Sequence, residues 1–373
     1  MQDTVFVPSF GNPPRNLVGR EDTLRAFENL FQSVPGSRER VMLLLGQRGS
    51  GKTVLLLQLA ELARRRGYVV ASPTIVSKEL PTRILEKLKD DGNAFLDKAK
   101  PRIVGGNLEI AGTGGGIALE YENEPEKTFS WRLSRLCSEL NKKKKPILIL
   151  VDEVQANQDS LRELIVAYQE MVGQKLDVSM ALAGLPSTIS SVLNDHVLTF
   201  LNRAVKIQLA PLRIDDIEYY YRSVFSDLKI KLTDTQISTA AKETDGSPYM
   251  MQLIGHYLVL GAEKNTPVAD IQFETAIQTA KNNFMNDICQ TTLAPLSDKD
   301  ISFLGAMAVS GETAEISDII DRLHSTNSSV QTYKRRLIQA GIIVQPKRGT
   351  VQFAVPYLRD YVSRVCRVDA TVL

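Results

Sequence analysis

Apolar positions along the chain fall into two rhythms. After Arg20, Leu24, Phe27, Leu30 and Phe31 recur every three or four residues and predict one apolar stripe on a helix. The Pro35-Gly36 pair ends it, and Val41 to Leu45 is an unbroken apolar run suited to a parallel strand covered on both faces. A glycine-rich stretch follows, then a helical pattern from Thr53 to Arg66, a stop at Gly67 and a strand from Tyr68 to Ser72, which together make a βαβ unit. The alternation continues through a helix at 130–140, a strand at 146–151 ending in Asp152-Glu153, a helix at 160–172 and strands at 178–183 and 204–209.

Beyond Ile214 the strand signal nearly vanishes. Helical patterns fill the sequence to Phe284, separated by Thr233-Asp234, by Asp245-Gly246-Ser247-Pro248 and by Asn265-Thr266-Pro267. After Ala294-Pro295 come helices at about 298–309, 315–324 and 328–340, then Ile342 to Val344, a Lys347-Arg348-Gly349 turn and Val351 to Ala354. Three helices followed by a two-stranded wing read as a winged helix-turn-helix. The expected architecture is thus an α/β domain over residues 1–210, with a parallel sheet flanked by helices, a small all-α domain over 211–293 and a winged helix over 294–373.

The six glycines between Gly105 and Gly116 are expected in a β-hairpin insertion, because no phosphate-loop spacing accompanies them. Lys142 to Lys145 read as a solvated turn. No apolar run approaches the ~18 residues that cross a bilayer, and the first residues lack the order of a secretory signal, so a cytoplasmic protein without a membrane partner is expected. Cys137, Cys289 and Cys366 lie far apart without metal-site spacing and read as core thiols; His196, His256 and His324 are equally scattered.

Two motifs carry the chemistry. Gly46-Gln47-Arg48-Gly49-Ser50-Gly51-Lys52-Thr53 has the phosphate-loop spacing, with an apolar strand running in and a helix running out of Thr53, and Val54 is expected with the loop at the nucleotide. Its glycines let main-chain N–H groups face phosphates at a helix N-terminus carrying about half a positive charge. Lys52 is expected on the β- and γ-phosphates, and Thr53 on Mg²⁺. A nucleotide-bound magnesium also calls for a carboxylate at the tip of a neighbouring strand. Asp152 answers that need, and Glu153 is placed to polarise an attacking water.

With these motifs, a helical second unit and a terminal winged helix in one chain, the sequence resembles the AAA+/STAND superclass of ATPases. It looks most like the origin-recognition-like and archaeal-type members with an appended winged helix. Leu17-Val18-Gly19-Arg20-Glu21 is similar to the family segment bordering the adenine, and Gly246-Ser247-Pro248 is similar to the G-x-P motif of the family's lid. The resemblance implies ATP and Mg²⁺ as ligands, ATP hydrolysis, and a homo-oligomer in which Arg203 reaches a neighbour's γ-phosphate in trans. Two departures accompany it: only Ser187 and Thr188 stand where a sensor asparagine is usual, and the helix after Pro248 lacks a second-sensor arginine. Slow hydrolysis, or an ATP state used as a switch, follows from both.

The net charge of +2 says little, but its distribution does. Asn327 to Arg367 holds eight basic residues and one acidic, whereas Asp298 to Thr326 holds two basic and six acidic. The positive side is the third helix and the wing, whose outward Ser329, Thr332, Arg335 and Arg336, with Lys347 and Arg348, are expected to contact duplex DNA. The alternative is a STAND-type signalling switch whose winged helix binds protein.

Overall fold

The structure, a computed structural model, describes residues 5–8, 17–96, 127–155, 158–194 and 198–365. The glycine cluster at 105–116, His196, Cys366 and Arg367 lie outside the described residues.

The first half of the chain builds a five-stranded parallel sheet. Its strands are β1 (Val41–Leu45), β2 (Val69–Ile75), β3 (Ile147–Asp152), β4 (Val178–Gly184) and β5 (Val205–Gln208), in the order β2-β3-β4-β1-β5. Every residue of β1, β3 and β4 is buried, as their unbroken apolar runs require when helices cover both faces. The pleat divides β1 between two cores: Val41, Leu43 and Leu45 face one side, Met42 and Leu44 the other. The first side is covered by α3 (Leu80–Gly92), α4 (Phe129–Lys142), α5 (Asp159–Gly173) and α6 (Pro186–Leu193), and the second by α1 (Glu21–Gln32) and α2 (Lys52–Arg65). Burying some thirty side chains on one face at ~1.5–3 kcal/mol each makes this sheet a stiff base for the loops at its C-terminal edge.

Helices then take over, as the loss of strand periodicity predicts: α7 (Ile214–Asp227), α8 (Asp234–Lys242), α9 (Pro248–Gly261) and α10 (Asp270–Phe284). α8 begins with a reciprocal cap in which Thr233 Oγ1 accepts from the Gln236 amide while the Gln236 side chain accepts from the Thr233 amide. Phe6 packs here, not against the sheet; its ring meets Tyr220, Tyr221 and Phe225, and a side chain at Gly255 would collide with it. α10 runs into a π-helical turn at Met285–Gln290, a short helix α11 (Thr291–Leu293) and the last unit.

That unit comprises α12 (Asp298–Ala308), β6 (Thr313–Glu315), α13 (Ile316–Arg322), α14 (Asn327–Gln339), β7 (Ile343–Val344), β8 (Thr350–Phe353) and α15 (Leu358–Val365). The expected two-stranded wing is a three-stranded antiparallel sheet, because Thr313–Glu315 pairs with β8. One apolar cluster runs from Phe6 through α7–α10 to Val362 in α15, so the second half of the chain is packed continuously. Among the described residues no helix is long and apolar enough to cross a membrane.

Candidate nucleotide site

β1 delivers the chain into the glycine loop at the C-terminal edge of the sheet, between β4 and β5. Gly46 is fixed there by its amide, which donates to the Gly184 carbonyl at 3.2 Å, and it must be glycine because a side chain would strike Ser50. Gly49 and Gly51 have φ of 76° and 88°, the left-handed region that turns successive amides to one side. α2 starts at Lys52, one residue beyond Gly51. These local requirements explain the motif's spacing: each glycine stands where a Cβ or an ordinary φ would spoil the cradle.

Lys52 Nζ donates to the Gly46 and Gln47 carbonyls, both at 2.8 Å, so its stem lies folded along the loop. Burial pushes its pKa below the usual lysine value, and the fields of Asp152 and Glu153 oppose that shift. Thr53 Oγ1 donates to Asp152 Oδ2 at 2.5 Å across the ninety-nine residues that separate them. Asp152, 5% exposed at the tip of β3, uses its other oxygen to accept the Glu153 amide at 2.8 Å. Glu153 leaves the strand with φ of 50°, an uncommon backbone for a glutamate, and its residue is solvent-exposed. Val154 returns to the sheet by donating to the Ala183 carbonyl at 2.9 Å. The acid pair thus splits, with Asp152 turned toward Thr53 and Glu153 left open.

The remaining expected nucleotide residues gather around this loop. Arg20 is 9% exposed and spans two elements: its guanidinium donates to the Ser50 carbonyl at 3.2 Å and to the Ala210 carbonyl at 3.0 Å. Burial lowers its pKa, countered by Glu21. Gly19, with φ of 61°, lies against Leu212 and Asp216, and Val18 packs on the helical cluster. Pro248 opens α9, whose cap Ser247 places Oγ 3.9 Å from where a Gly49 side chain would begin. Gly246 makes this possible: with φ of 67°, it lies so close to Leu212 that a Cβ would sit 2.7 Å from that residue's carbonyl oxygen. Arg48 is exposed at the loop's rim and Val54 half-buried behind it.

Not every expected residue is at this site. Arg203 is exposed and precedes β5, at the end of the sheet opposite the glycine loop. Five residues at ~3.3 Å each separate it from the level of Gln208, beside Leu45. Its own loop is therefore beyond its reach. In the C-terminal unit Thr332, Arg335, Lys347 and Arg348 are exposed and Ser329 half-buried. Arg336 is differently occupied: its Nε donates to Asp300 Oδ1 at 2.9 Å and its guanidinium also reaches Ser297. Sequence reasoning missed Gln47 and Ser187 as contacts of the C-terminal unit. Ser187 Oγ donates to the Gln339 carbonyl at 3.0 Å, a partner 152 positions away for which the sequence carries no signal.

A glycine cradle after β1, a folded lysine and a threonine–aspartate bond to the tip of β3, one strand beyond β4, define a P-loop nucleotide site on an AAA+ type sheet. Residues 16–180 match the AAA ATPase domain family, and residues 286–362 match a domain family of unknown function. A Walker-type ATPase of Pyrococcus abyssi is 18% identical, with a TM-score of 0.66 over 95% of this chain and 99% of that one. The Aeropyrum pernix ORC2 protein, solved as ADPNP–ADP complexes, is 14% identical, with a TM-score of 0.62 over 96% and 97% of the two chains. The Pyrobaculum aerophilum Cdc6p structure is 15% identical with a TM-score of 0.50 and coverages of 96% and 97%. No curated protein matches the sequence. Residues 16–180 thus form an ATP-hydrolysing P-loop domain of the AAA type, and the chain as a whole shares the fold of these solved structures.

Proposed function

We propose that this ATPase is a switch whose nucleotide state sets the placement of a C-terminal winged helix, and that the winged helix grips duplex DNA. The observation that supports the reading is the Thr53–Asp152 bond beside the glycine loop, which sets a hydroxyl and a carboxylate oxygen 2.5 Å apart. A hydroxyl and a carboxylate are hard oxygen donors, which fit Mg²⁺ completed by phosphate oxygens and water. When bound, the ion neutralises charge on the phosphates. Lys52 then holds the β- and γ-phosphate oxygens, the loop amides hold the rest, and Glu153 orients the water that attacks. Arg203 serves a neighbouring copy of the chain, since its own loop lies at the far end of the sheet.

The DNA reading rests on α14 and the β7–β8 turn. Arg335 and Thr332 project from α14 into solvent, and Lys347 and Arg348 lie on the turn beside it. Arginine and lysine there supply phosphate contacts, and Ser329 and Thr332 can meet base edges or phosphates. Arg336 acts instead as an anchor of α14 through Asp300. A gel shift with duplex DNA tests this: alanine at Arg335, Lys347 and Arg348 together should abolish binding at moderate salt and flatten its salt dependence by about three counterions. Retention unchanged in that triple variant would remove DNA as the partner, and a protein captured in only one nucleotide state would replace it.

A further inference from the structure

The C-terminal unit touches the ATP site directly, through the turn that ends α14. Gly341, with φ of 66°, sits so close to the glycine loop that a Cβ would lie 2.8 Å from Gln47 Oε1 and 2.8 Å from Leu185. Two residues earlier, the Gln339 carbonyl accepts the Ser187 hydroxyl at 3.0 Å. Both base-side contacts belong to the nucleotide's surroundings. Gln47 is a residue of the glycine loop, and its carbonyl receives Lys52 at 2.8 Å. Leu185, Pro186 and Ser187 follow Gly184, which pairs with Leu45 and holds Gly46.

We infer that Ser187 and Gln47 form a γ-phosphate-sensitive latch that binds the α14 turn in the absence of ATP and releases it when ATP enters. The inference rests on the switch reading above and names the residues that carry it. A serine hydroxyl has one hydrogen to donate, so Ser187 cannot serve the Gln339 carbonyl and a phosphate oxygen together. Lys52 has three hydrogens and spends two on the Gly46 and Gln47 carbonyls; to reach both a β- and a γ-phosphate oxygen it must give up one of these, which frees that peptide to turn. Gln47 Oε1 is buried with no protein hydrogen-bond partner under Gly341, so this contact is held by shape alone and yields once its loop shifts. ADP lacks the third phosphate and leaves the latch closed. The latch thereby reports the nucleotide to the unit that carries the basic helix.

Hydrogen exchange of the full chain, followed by mass spectrometry on the segment from Gln339 to Gln345, tests this with Mg²⁺ and either ADP or a non-hydrolysable ATP analogue. Exchange should rise with the ATP analogue and not with ADP. Ser187→Ala should raise it without nucleotide by about three- to tenfold, the range one net hydrogen bond supports, and Ser187→Thr should restore it. Gln47→Ala should act in the same direction as Ser187→Ala. Equal exchange in ADP and ATP analogue, or no effect of Ser187→Ala, would overturn the latch. Nucleotide-dependent exchange in a protein that ignores DNA supports the latch and removes only the DNA reading. DNA binding that follows nucleotide while this segment stays unchanged refutes the latch alone.

Discussion

Thr53 and Asp152 stand ninety-nine residues apart in sequence and 2.5 Å apart in space, with the threonine hydroxyl donating to the aspartate at the tip of β3. This contact brings the first turn of α2 and the third strand to one point. Asp152→Asn keeps the shape but weakens the site's claim on Mg²⁺. Steady-state turnover should fall by about 100-fold or more, with ATP binding lowered far less. Thr53→Ala should behave alike, and excess Mg²⁺ should recover part of its activity.

Arg203 occupies the sheet edge remote from its own glycine loop. Arg203→Ala should therefore still bind ATP while turnover drops by ~1000-fold, the scale of a lost arginine finger. Mixing this variant with Lys52→Ala should recover activity, because each supplies what the other lacks. Rates across a dilution series check the premise: specific activity of the unaltered protein should decline as it is diluted.

Asp300 is 2% exposed at the start of α12. Burial pushes its carboxyl up, but hydrogen bonds from Ser297 and the charge and hydrogen bonds of Arg336 together outweigh that and hold it below the usual range. A depressed folded pKa gives stability that is present above the unfolded value near ~3.9 and is lost as pH falls through the folded value. Arg336→Ala leaves the buried carboxylate with the Ser297 hydrogen bonds but no cation; with Arg336 half-exposed, a loss of about 1–3 kcal/mol is expected at pH 7. Urea midpoints of the two proteins should draw together as the pH is lowered below the unfolded value of ~3.9.

Gly246 holds the linker at Leu212 against the start of α9. Gly246→Ala sets a Cβ against the Leu212 carbonyl in a backbone with φ of 67° and should lower stability by about 2 kcal/mol or more, read from the thermal midpoint.

Much of this was legible in the sequence, for identifiable reasons. Val41 to Leu45 is apolar throughout because helices cover both its faces, so the strand leading to the glycine loop announces itself. Gly46, Gly49 and Gly51 are each demanded by local geometry, which is why that motif survives as spacing. Contacts between distant segments left no such trace. Thr313–Glu315 is three residues long, too short for alternation to register, so the third strand of the C-terminal sheet was missed. Outward position on α14 suggested Arg336 for DNA, but its bond to Asp300 depends on how α12 packs. Ser187 stands where a sensor asparagine is usual, but its bond to Gln339 is a tertiary fact.

Lys52 and the glycine loop are proposed to hold a triphosphate. Calorimetric titration of MgATP into the purified protein, with Lys52→Ala alongside, tests it most directly. One nucleotide should bind per chain in the unaltered protein, with affinity falling at least ~100-fold in the variant. Equal affinity in both proteins, or no binding to the unaltered one, would contradict the account.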